Sequence, residues 1–192
     1  MYPFLSKLSA YIRTAAGVTV DRHSVFHYDV VGAAAGAEII KASVTLSTAA
    51  QTITTFDSQP DIPRQILLTK NANATAGNVV ITGTNIANAV ITETIALPLG
   101  DTVEVSTKAF KTITSIVYPI RTAPADWIKV GTNQCIGLPD WFPVDSIMRV
   151  LFDGASVAYT LTGDSNEVEK NLLLPTGTTF DDSKVLHIWW VN

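Results

Sequence analysis

The longest patterned stretch of the chain runs from Pro60 to Pro119 and reads PDIPRQILLTKNANATAGNVVITGTNIANAVITETIALPLGDTVEVSTKAFKTITSIVYP. Short Val/Ile/Thr runs alternate with Gly, Asn and Pro breaks. β-branched side chains crowd a helix but pack well on a pleated surface. The alternation predicts strands over 64–70, 78–85, 89–98, 102–106 and 110–119, with NIANA (85–89) as a compact hairpin loop. Within VITETIAL, Ile91, Glu93, Ile95 and Leu97 share one face, so Glu93 sits among apolar neighbours. It reads as a surface carboxylate, paired across the sheet or close to a strand edge.

The same pattern continues on either side. Residues 18–31 predict one or two strands; 39–47 and 51–56 predict two more. DSQPDIP (57–63) is a Pro-broken loop that cannot sit inside a ladder. WIKVG (127–131) reads as a short strand between two Pro-rich loops. Further strands follow over 146–154, 156–163, 169–175 and 185–192, with FDGAS (152–156) as a tight turn. About a dozen strands at this spacing predict an all-β fold, a β-sandwich that is one large unit or two fused small ones.

A helical period is found only near the start. Phe4, Leu8 and Ile12 fall at i, i+4 and i+8, which predicts a short amphipathic helix over 4–15. Such a helix needs a surface to pack on, either its own domain or a partner. GAAAG (32–36) reads as a hinge. The expected organisation is therefore an N-terminal arm and hinge over 1–36 and a body over 37–192.

Composition narrows the function. Of the 192 residues only 16% are charged, although 47% are hydrophobic; an average soluble domain has roughly 25% charged. That deficit means surface that is either neutral (Thr, Ser, Asn) or covered by another chain, and together with the apolar last strand it predicts a homo-oligomer. The net charge of −4 and the lack of any basic run exclude a nucleic-acid wrapping role. No apolar run approaches the ~20 residues of a membrane span. Ser6, Lys7, Ser9 and Arg13 interrupt the N-terminal apolar stretch, so it makes a poor signal peptide.

Candidate chemistry is sparse. The single cysteine, Cys135, has no base near it in sequence and reads as a small buried hydrophobe. His23 and His27 would share a helical face. In a strand, residues four apart lie about 13 Å from each other, too far for one zinc ion. His187 stands in the last strand with no ligand pattern beside it, so no metal ligand is expected. The acidic loop of Asp164, Asn166, Glu167 and Glu169 lacks EF-hand spacing and reads as a solvated turn. No nucleophile elbow, P-loop or dinucleotide fingerprint occurs, so no catalytic or cofactor-binding residue is expected.

The large aromatics say more. Trp189 and Trp190 are adjacent in a strand and must point to opposite faces. VLHIWWV is apolar on both faces, as expected of a strand covered on both. Trp141 and Phe142 lie in a Pro-flanked loop, where they are costly to leave in water. Either the loop folds back on a sandwich core or these residues line a subunit interface. Phe4, Leu8, Ile12, Trp141, Phe142, Trp189 and Trp190 are the candidate partner contacts.

Four segments carry a resemblance: PDIPRQILLT (60–69), NVVITGTNIANAVITETIAL (78–97), KAFKTITSIVYP (108–119) and KVGTNQCIGLP (129–139). They resemble a class of tailed-bacteriophage virion structural proteins. In that class a strand pair around a Thr-Gly-Thr turn precedes an Ala-Phe-Lys-Thr-Ile-Thr-Ser-Ile strand and a Gly-Leu-Pro loop. The resemblance covers somewhat under half of the chain. It implies a β-rich, non-enzymatic virion component assembled in the host cytoplasm, of the kind that decorates or cements a capsid. The implied partners are the major capsid protein or other virion subunits, and the implied oligomer is a trimer. A tail or head–tail connector component is the alternative within the class. Outside it stands a carbohydrate-binding sandwich on a fibre, with Trp127 and Trp141 as its sugar platform.

Overall fold

The computed structural model describes residues 8–9, 24–71, 76–141, 143 and 146–191. Among these, fifteen strands form three antiparallel sheets. The terminal sheet has the order β1 (Leu8–Ser9), β2 (Ser24–Val31), β15 (Val185–Val191), β11 (Ile147–Phe152), β12 (Ala155–Ser156). The central sheet runs β13 (Tyr159–Thr162), β14 (Leu172–Pro175), β10 (Trp127–Gly137), β5 (Arg64–Lys70), β8 (Val103–Phe110), and β3 (Gly36–Thr45) also pairs with β10. The third sheet is β4 (Gln51–Ile53), β9 (Thr112–Tyr118), β6 (Gly77–Thr84), β7 (Val90–Leu97). The fold is all-β. A 3-10 turn spans Val168–Lys170. No helix among the described residues is long and apolar enough to cross a membrane.

Period-two patterning builds two large cores. In the first, Ile66, Leu68, Ile128 and Val130 of the central sheet pack with Val79, Ile81, Ile91, Ile95, Ile113 and Ile116 of the third sheet. In the second, Ile136, Leu138 and Leu173 pack with Tyr28, Val30, Val150, Leu186, Ile188 and Trp190 of the terminal sheet. Removing each such side chain from water is worth about 1.5–3 kcal/mol, which holds the layers together. The body is thus two fused sandwiches sharing the central sheet.

Strand β10 serves both cores. It continues to Gly137, six residues beyond the short strand that WIKVG suggests, because GTNQC forms a bulge rather than a break. β5 lies along one edge of β10. The other edge takes β3 against the first half and β14 at Ile136–Gly137. At the crossing with β3, a Cβ on Gly131 would stand 1.8 Å from the Gly36 carbonyl oxygen. Only glycine allows backbones so close.

The helix expected near the N-terminus needs correction. Residues 25–31 are tied into the terminal sheet: β2 pairs with β15 from Val25–Val191 to Val31–Val185. Leu8 and Ser9 are strand rather than helix, paired with Val25 and Ser24. Sheet hydrogen bonds to β2 override the local helical period. The rest of 4–15, including Phe4 and Ile12, lies outside the described residues. Nor is GAAAG a free hinge. The Ala33 N–H donates to Asp61, the Ala33 carbonyl accepts from Arg64, and the Gly32 carbonyl accepts from the Asp182 N–H.

Candidate functional site

The outward face of the terminal sheet gathers the most unusual side chains. Along β15, Leu186, Ile188 and Trp190 are buried in the second core, while His187 and Trp189 face outward and are half-buried. Alternation alone assigns these faces. The neighbouring strand adds what alternation cannot. Asp29 lies opposite His187, and His27 lies opposite Trp189. Arg149 of β11 flanks Trp189 on the other side.

These residues converge on one carboxylate oxygen. Asp29 Oδ1 is 2.5 Å from His187 Nδ1 and 2.6 Å from His27 Nε2. The His187 contact is a hydrogen bond in the tautomer that carries its proton on Nδ1. The His27 contact is close but misaligned: Nε2 is shielded from solvent and makes no aligned hydrogen bond. Ring stacking fixes both imidazoles. His27 lies nearly parallel to Trp189, with centroids 4.4 Å apart and 7° between planes. His187 stacks on the same indole at 5.5 Å and on His27 at 5.6 Å. The sequence shows no ligand pattern near His187, yet the fold places it beside two potential ligands.

The other candidate residues divide. Trp190 is buried and stacks on Phe26 at 5.3 Å, so it is a core residue. Trp141 is 44% exposed in the loop after β10. Phe142 lies outside the described residues, as do Phe4 and Ile12, and Leu8 is placed only by its strand pairing. Trp127 is half-buried with the Lys129 ammonium 5.0 Å over its ring. Cys135 is buried beside Ala109 and Leu172. Burial pushes its thiol up to about 12, so it is not a thiolate at neutral pH.

Glu93 and the acidic-loop carboxylates are tied to the scaffold. Glu93 accepts the Thr107 N–H at 2.5 Å, the Thr107 hydroxyl at 2.9 Å and the Lys108 N–H at 3.1 Å, which joins the third sheet to β8. Asp164 accepts the N–H groups of Asn166 and Glu167, and these bonds hold its carboxyl below the usual range. Glu167 bonds Lys170 and Lys108; Glu169 bonds Asn85 and Lys108. Glu167 and Glu169 converge on the Lys108 ammonium, so the loop is a lysine-laced seam whose carboxylates are already paired.

The sequence reading missed Arg64. Its side chain is fully buried where the two sandwiches meet, bonded to Asp61, Ala33 and Asn133 and placed 5.0 Å over the Phe180 ring. The available signal was the Asp61-x-x-Arg64 spacing.

No known protein family, curated protein or solved structure matches the chain.

Proposed function

We propose that the chain is a non-enzymatic structural component of a tailed-phage particle. In this reading it decorates or cements the capsid by binding across neighbouring capsid subunits. One observation carries the reading. The four segments that resemble phage virion proteins are not scattered: they form β5, the β6–β7 hairpin, the end of β8 with β9, and β10. Together they supply most of the first core, including Ile66, Val79, Ile95, Phe110, Ile116 and Val130. The resembling segments therefore adjoin one another in space around a shared core, to which Ile40 and Leu46 also contribute.

Attachment would work by area burial. Leu99 (68% exposed) and Val103 project from the β7–β8 link of this unit, and Val90 from its opposite end at the β6–β7 hairpin. Each such contact contributes ~25 cal/mol per Å² of apolar surface covered, before association costs. Many copies multiply a modest contact into resistance to capsid rupture. The major capsid protein or another virion subunit is the partner, and a homotrimer is the working oligomer.

Gradient-purified particles from the phage encoding this chain test the proposal. The expected result is the chain at stoichiometric copy number, with electron microscopy placing it across the head lattice. Location at one vertex or in the tail would favour the connector reading. Absence from the particle would end both. Glycan binding by the isolated chain would favour the carbohydrate reading, although Trp127 is already roofed by Lys129.

A further inference from the structure

We propose that His27, Asp29 and His187 form a binding site for one borderline divalent transition ion, with zinc as the reference ion, and that the ion ties β15 to β2. The site is independent of the virion reading. Its ligand atoms are His27 Nε2, His187 Nδ1 and an Asp29 oxygen, all within 4.8 Å of one another, and the incoming ion displaces any proton on these nitrogens to solvent. The two strands supplying them are paired in register over seven residues, so the backbone positions are held before any ion arrives.

Three observations point to a cation. The His27 Nε2 atom is shielded from water, unbonded in any aligned way, and aimed at a carboxylate oxygen 2.6 Å off. At that distance the nitrogen and the carboxylate oxygen must share a positive charge, a proton or a metal ion, and the misaligned geometry is poor for a proton. The rings are also pre-oriented by stacking on Trp189, which reduces the ordering cost of ligation. Finally, the side chains are 26%, 46% and 28% exposed for His27, Asp29 and His187, which leaves an approach from solvent.

The donor set selects the ion. Two imidazoles and one carboxylate suit zinc, nickel, cobalt or copper, whereas calcium and magnesium require more oxygen ligands. Zinc holds these atoms at ~2.0–2.2 Å, so ligands of one tetrahedral ion stand roughly 3.4 Å apart. The carboxylate must withdraw from the imidazoles by about 1 Å, a movement within side-chain rotation. A water would complete the coordination.

The test uses the full chain after chelator treatment. Zinc is titrated calorimetrically into wild-type, His27→Gln and His187→Gln proteins, with calcium and magnesium as comparisons. Far-UV circular dichroism verifies the fold of each variant. The expected result is one zinc per chain in the wild type. Loss of a ligand should weaken affinity by more than the ~10–100-fold typical of an outer-shell change. Copper(II) should quench tryptophan fluorescence in the wild type and much less in Trp189→Phe. Substoichiometric zinc in the wild type overturns the proposal. So does unchanged affinity in either folded His variant, or half a zinc per chain accompanied by zinc-dependent dimerisation.

Discussion

Asp61 accepts two hydrogen bonds from the buried guanidinium of Arg64, Nε to Oδ1 at 2.8 Å and Nη2 to Oδ2 at 3.1 Å. The same carboxylate accepts the Ala33 N–H at 2.6 Å. One acid therefore neutralises a buried cation and anchors the chain between β2 and β3. Removing one partner of a buried pair costs more than the pair contributes net. Asp61→Ala is expected to lower unfolding free energy by about 3 kcal/mol, at the lower end because Asp61 itself is partly exposed. Urea denaturation of both proteins measures it. A loss under about 1 kcal/mol would mean that the buried cation is satisfied without Asp61.

The same anchor bears on proteolysis. The small residues at 32–36 look cleavable in sequence, but the Gly32 carbonyl and both Ala33 backbone groups are bonded. Native proteolysis is expected to spare this segment in the wild type and to cut it faster in Asp61→Ala. Mass spectrometry of the fragments distinguishes this from rapid cutting in both.

Gly131 is expected to tolerate no side chain. An added Cβ meets backbone atoms of Gly36 and Ala37, which cannot rotate away. Gly131→Ala should cost at least about 3 kcal/mol or abolish folding. Thermal denaturation with a β-sheet signal decides; a near-wild-type melting temperature would show that β3 can shift away from β10.

Asp126 should govern part of the acid stability. Burial raises its pKa, but hydrogen bonds from Ala123, from the backbone and hydroxyl of Thr122, and from Asn71 outweigh it and hold the carboxyl below its ordinary 3.8. A depressed folded pKa gives stabilisation that is complete above the unfolded value and is lost as pH falls through the folded one. Melting temperature should thus drop below the usual carboxylate range. Other lowered carboxylates contribute to the same drop, so the comparison is with Asp126→Asn. The variant should be less stable at neutral pH and show a shallower acid loss. Parallel pH profiles for the two proteins would refute the assignment.

The adjacent tryptophans should separate folding from association. Trp190 is 2% exposed inside the second core, and Trp190→Ala should cost about 3–5 kcal/mol. Trp189 faces outward, so Trp189→Ala should keep the β signature while lowering the oligomer mass. Light scattering alongside circular dichroism reads both effects. A wild-type monomer at micromolar concentration would end the oligomer proposal.

Much of this architecture is local and therefore legible in the chain. A two-residue period assigns faces wherever one side is buried, so the split between Trp189 and Trp190 follows from adjacency. NIANA and FDGAS mark hairpins because their turn residues suit the tight chain reversal. Pairing partners distant in sequence are another matter. Asp29 and His187 are 158 residues apart, and only the β2–β15 register brings them to 2.5 Å. Likewise Arg64 begins an alternating strand like any exposed cation, yet the meeting of two sandwiches buries it. The helical period over 4–15 failed at Leu8–Ser9 because a free sheet edge offers backbone hydrogen bonds that local periodicity cannot foresee. The sequence by itself determined the strands, their faces and their tight turns, since these depend on neighbours along the chain. The sheet order, the buried ion pair and the histidine cluster were decided only by tertiary structure, since each depends on which distant strands share an edge.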